Sequence, residues 1–203
     1  MTRPNPSLLV LHSLRCCGHV GVARVAKATG LTESAAESTL IDLAVDGLVT
    51  YLGRGFDVWG LTDAGRAADA ERIADELESA GARTAVTAGF RRFLLLNPEL
   101  LDLCAAWQLR SVDGVMTAND HGDPSYDARV LGRFADLDRR AAPVCAELAA
   151  ALPRFGRYRT RLADALDRAA SGALAYVTDD VASYHTVWAE LHEDLLVTLG
   201  IPR

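Results

Sequence analysis

Residues 31–66 read LTESAAESTLIDLAVDGLVTYLGRGFDVWGLTDAGR, from Leu31 to Arg66, and their punctuation sets the fold of the first part of the chain. Thr32 is a good N-cap, and Ala36, Leu40, Leu43 and Ala44 recur at the helical period behind it, so a helix is expected through Asp46. Gly47 stops that helix. Leu48–Leu52 and Phe56–Leu61 then read as two strands joined by a tight turn, Gly53-Arg54-Gly55. Thr62 caps a further helix to about Ala80. Upstream, Ser7 is expected to cap a helix carrying Leu8, Leu9, Leu11 and Leu14, ended by Gly18 and Gly21. A short helix from Val22 to Thr29 closes at Gly30.

Helix, helix, turn, helix and hairpin is the order of a winged helix-turn-helix unit. The stretch from Leu31-Thr32-Glu33-Ser34 to Gly47-Leu48-Val49, followed by a short wing and Leu61-Thr62-Asp63-Ala64-Gly65-Arg66, resembles the MarR-like winged-helix family over roughly residues 7–78. The resemblance implies a dimeric, cytoplasmic transcriptional regulator that binds double-stranded DNA and responds to a small ligand. The expected contacts to DNA are Lys27, Ser34, Glu37, Ser38 and the wing-tip Arg54.

Residues 81–203 read as wholly helical, so the expected fold is mainly α: a winged helix-turn-helix domain over 1–80 with a small β-hairpin wing, then an all-helical domain over 81–203 for dimerisation or ligand binding. One helix is expected from Ala82 to Leu96, and a second opens at Asn97-Pro98, with Leu100, Leu103, Cys104 and Trp107 on its apolar face. A polar loop, Ser111–Pro124, leads to a long helix over Ser125–Leu152 that should kink or break near Pro143. The last helices span roughly Phe155–Ser171 and Val181–Leu199.

The formal charge of the 203-residue chain is −6, from 21 Lys plus Arg and 27 Asp plus Glu. Residues 1–80 hold seven of the basic and eleven of the acidic residues. The helix over 32–46 carries Glu33, Glu37, Asp42 and Asp46 and no basic residue. Carboxylates near a phosphate backbone oppose the term that dominates DNA affinity. The competing expectation is therefore a winged helix that does not bind DNA and serves as a protein-interaction subunit or a cofactor-free acid/base enzyme.

In the last helix, Tyr184, Val187, Trp188, Leu191, Leu195 and Leu199 share one arc, with His185 and His192 at its edge. Two turns separate these histidines, roughly 10 Å, too far for one ion. With Trp107, His121, Tyr126, Tyr184 and Trp188 they are the expected ligand pocket. Glu190, Glu193 and Asp194 fall opposite and read as a solvated face. Arg154, Arg157, Arg159 and Arg161 form the one basic cluster, fit to meet surface carboxylates or an acidic partner. No nucleophile elbow, Walker loop, dinucleotide fingerprint or H-E-x-x-H motif occurs, and no metal or cofactor is expected. The cysteines, Cys16, Cys17, Cys104 and Cys145, lack metal-ligand spacing and read as thiols in a reducing cytoplasm. No apolar run reaches membrane-spanning length.

Overall fold

The computed structural model describes residues 5–53 and 55–202. The chain is mainly helical. It begins α1 (Pro6–Cys17), α2 (Val22–Thr29), α3 (Glu33–Val45), β1 (Val49–Leu52), β2 (Val58–Leu61) and α4 (Asp63–Ser79). Asn5 rather than Ser7 caps α1, accepting from the Ser7 amide, with Pro6 in the first turn where a missing N–H costs nothing. Thr32 and Thr62 cap α3 and α4 through their hydroxyls.

β1 and β2 pair antiparallel, Val49 opposite Leu61. Val20, in the loop before α2, adds a backbone bridge to Trp59. Gly65 lies so close to the loop after α3 that a Cβ there would overlap the Leu48 carbonyl oxygen. The glycine of the Thr-Asp-Ala-Gly turn is thus required by packing. Val10, Leu11, Leu14, Val25, Leu40, Leu43, Val49 and Leu61 form the core of this half.

The second half differs from the all-helical expectation in one element. α5 (Arg83–Gln108) is followed by β3 (Leu109–Val112) and β4 (Val115–Ala118), an antiparallel hairpin. Its turn is Asp113-Gly114, and both residues take positive φ (51° and 81°), the geometry of the tight turns that Asp-Gly favours. A strand signal thus lies inside the stretch expected to be a polar loop. α5 also runs unbroken through Pro98, and α6 (Pro124–Ala151) through Pro143. Burial of both helices in one core, with Phe93, Leu100, Leu103, Phe134, Leu137 and Leu148 packed together, outweighs the local cost of each proline. A 3₁₀ turn (Pro153–Phe155) leads into α7 (Gly156–Ala170), and a second (Leu174–Tyr176) precedes α8 (Tyr184–Leu199).

Two apolar cores result, one under α1–α3 with β1 and β2, the other among α5–α8. α4 reaches both, contributing Ala68 to the first and Leu77 to the second. α8 touches α1 and α4, so its two sides are both covered. No helix among the described residues is long and apolar enough to cross a membrane.

Candidate functional site

The seam between the two cores is polar and enclosed. His12 on α1 is completely buried, with Nδ1 3.1 Å from Asp69 Oδ1 on α4 and Nε2 3.1 Å from Asp194 on α8. A carboxylate only accepts, so a ring facing one at each nitrogen carries both protons. Burial alone would push the His12 pKa down. Electrostatic interaction with Cys16 and Asp194, and hydrogen bonds to Asp194 and Asp69, outweigh burial and hold it well above the usual histidine value.

Asp194 is equally buried. It accepts from Arg154, from Arg157 at 3.0 Å and from the Tyr158 hydroxyl at 2.8 Å. Burial would raise its pKa, but Arg154, His12 and Arg157 hold it well below the usual carboxylate range. Arg154 also donates to Glu76 on α4 and to Thr198, both at 2.6 Å. Beside this cluster Glu190 pairs with Arg24 of α2 and, at 2.5 Å, with Arg161 of α7. Burial, with Arg24 next to it, lowers the Arg161 pKa to about 10.

The expectation of a solvated carboxylate face on the last helix is therefore corrected: Glu190 and Asp194 are buried. The helix lies between two cores, and these carboxylates face partners from α1, α2 and α7. The same contacts explain the basic cluster. Arg154, Arg157 and Arg161 answer the carboxylates of α8, and Arg159 pairs with Asp138 of α6 at 2.5 Å.

His12 Nε2, the Cys16 thiol and an Asp194 oxygen lie within 4.8 Å of one another. The donor set does not suit an ion, because Asp194 already serves two guanidiniums that a dication would have to displace or sit beside. Cys16, whose Sγ lies 3.7 Å from His12 Nε2, lines a cleft of about 540 Å³. Arg15, Cys17 and Arg24 line one side of the cleft, and Asp179, Glu190 and Glu193 the other.

The second region is the outer face of α3 with the β1–β2 hairpin. Ser34, Glu37, Ser38 and Asp42 are exposed there, together with Ile41 (50% exposed) and Val45 (83%). The hairpin adds Tyr51, Leu52 and Phe56 (76% exposed). Tyr51 donates to Asp57 at 2.9 Å. That bond, supported by the nearby charges of Asp57 and Glu37, raises the Tyr51 pKa, and α3 packs beside β1. Of the basic groups that would meet DNA, Lys27 is exposed but shares a shallow cleft with Glu33. Arg24 is committed to Glu190, and Arg54 lies outside the described residues.

The residues expected to line a ligand pocket fall into two groups. Trp107, His121 and Tyr126 meet where β4 leads into α6. His121 packs on the Trp107 ring at 4.7 Å and contacts Asp127 at 3.0 Å, while the Tyr126 hydroxyl donates to the Ala106 carbonyl at 2.7 Å. Tyr184, Trp188 and His192 lie along α8. Tyr184 donates to Asp138 at 3.1 Å, Trp188 to Asn97 at 3.0 Å, and His192 packs on Phe93 at 5.3 Å. His185 is half-buried near the start of that helix. The cleft at the seam is lined by other residues.

His12 and Asp69 are not among the residues that sequence patterns pick out. A histidine inside the run LLVLHSL is the available signal, since a polar side chain in an apolar helix needs a partner. No family model, no curated protein and no solved structure matches the chain.

Proposed function

We propose that the protein is a regulatory protein of winged helix-turn-helix plan, that α3 and the β1–β2 hairpin are its target-binding face, and that the target is another protein. One observation carries this reading: the exposed face of α3 combines carboxylates with Ile41 and Val45 and contains no basic residue, and the hairpin extends it with Tyr51, Leu52 and Phe56. A duplex would meet the carboxylates of Glu37 and Asp42 there, with no basic residue of α3 to offset them. A protein surface of basic and apolar side chains matches the same face in both charge and hydropathy. The element order that suggests a winged helix, with exposed Ser34, Ser38 and Lys27, favours the second reading, a DNA-binding regulator.

A synthetic helical peptide with one arginine face and one leucine face serves as probe. Tyr51 and Trp59 fluorescence should report saturable binding that weakens with salt and is lost in a Val45→Ser, Phe56→Ser variant. Binding unchanged in that variant, or none in the wild type, removes the assignment of this face.

A further inference from the structure

A second exposed surface runs along α5. The inner face of α5 buries Phe90, Phe93, Leu100, Leu103 and Trp107 against α6 and α8. Its outer face stays in water. Arg91, Leu95, Pro98, Asp102 and Ala105 are all exposed, Leu95 by 80%, as is Leu109 just beyond the helix. At about 100° per residue the positions from Arg91 to Ala105 keep to one stripe, roughly 21 Å long at 1.5 Å per residue, and Leu109 follows it at the start of β3. The stripe continues into the β3–β4 hairpin, where Val112, Val115 and Met116 are exposed as well. A lone two-stranded hairpin is marginal in water and gains most from a covering surface.

The charges on α5 indicate what covers it. Arg92 pairs with Glu147, and Glu99 with Arg140, both within the chain. Arg91 and Asp102 point outward, and among the described residues no ion pair within the chain engages either. They stand at opposite ends of the apolar middle of the stripe, about 16 Å apart along the axis.

We infer that a second copy of this chain covers the stripe, with the two α5 helices antiparallel about a two-fold axis between Leu95 and Pro98. In that register Leu95 meets Pro98 of the partner subunit and Arg91 meets Asp102 of the partner subunit, twice by symmetry. A patch that complements itself under a two-fold rotation is what a closed dimer requires. In that register the hairpin begins level with the start of the partner subunit's α5. This interface lies on a different surface from the α3 face and stands without the functional reading given above.

Sedimentation equilibrium tests it. The wild type is expected to be a dimer at micromolar concentration. Leu95→Glu, at an exposed position and with circular dichroism expected to be unchanged, should give a monomer. Arg91→Asp should weaken the dimer about tenfold or more, and Arg91→Asp with Asp102→Arg should restore it to within about threefold. A monomeric wild type, a dimer indifferent to Leu95→Glu, or a charge reversal that fails to rescue would each overturn the inference.

Discussion

His12 on α1 and Asp194 on α8 meet at 3.1 Å with both side chains completely buried, and their helices belong to different cores. The contact is the centre of a charged seam that also takes in Asp69, Glu76, Arg154 and Arg157. Buried charges of this kind are costly singly and acceptable only as a satisfied set. The seam therefore fixes how the two halves sit together more than it adds net stability.

Breaking the set should be severe. Asp194→Ala leaves Arg154 and Arg157 buried without their carboxylate and should cost about 3–5 kcal/mol in urea unfolding. Replacing the pair together, Arg154→Met with Asp194→Leu, should cost less than the sum of the two single changes. Additive losses would show that the two side chains act independently.

The stability of the seam depends on pH in two directions. The folded pKa of His12 is raised, so its contribution is complete below the unfolded value of about 6.5 and fades as pH rises through the folded one. The folded pKa of Asp194 is lowered, so its contribution is present above the unfolded value of about 3.9 and is lost as pH falls through the folded one. The difference in unfolding free energy between the wild type and His12→Gln should thus be larger at pH 6 than at pH 9. A difference that grows toward alkaline pH would mean that His12 is neutral in the fold.

Two glycines should respond oppositely to alanine. Gly65→Ala drives a methyl into the Leu48 carbonyl and should destabilise by about 3 kcal/mol. Gly132 is exposed within α6, and a methyl added there would meet nothing within 4 Å. The same change at Gly132 should therefore stabilise by about 0.5–1 kcal/mol. Thermal melting of the two variants checks both signs.

Thiol labelling should be ordered. Burial pushes the Cys104 and Cys145 thiols up to about 11, which suppresses the reactive thiolate, and both side chains are enclosed. Cys16 lines the seam cleft. Iodoacetamide at pH 7.5, followed by peptide mass spectrometry, should modify Cys16 well before Cys104 or Cys145. Equal rates would place the buried pair near the surface.

Local signals account for the first half of the chain better than for the second. Thr32, Gly47 and Thr62 mark helix ends through their own hydroxyls or backbone freedom, so they are readable one residue at a time. Pro98 and Pro143 mislead for the same reason: each weakens a helix locally, yet the shared core of α5 and α6 decides. The turn at Asp113-Gly114 is readable in principle and is masked by its polar surroundings. The seam is not readable. Glu190 and Asp194 look like ordinary surface carboxylates until α1 and α7 pack over them, and no periodicity in α8 reports a neighbour so distant in sequence.

The claim that α3 meets protein and not DNA is tested most directly by fluorescence anisotropy of the wild type with a labelled duplex from its own upstream region, at 50 and 200 mM salt. The expected result is no saturable binding at either salt concentration, with Glu37→Arg gaining only weak, sequence-independent affinity. Saturable, sequence-selective binding by the wild type that weakens steeply between the two salt concentrations would contradict it.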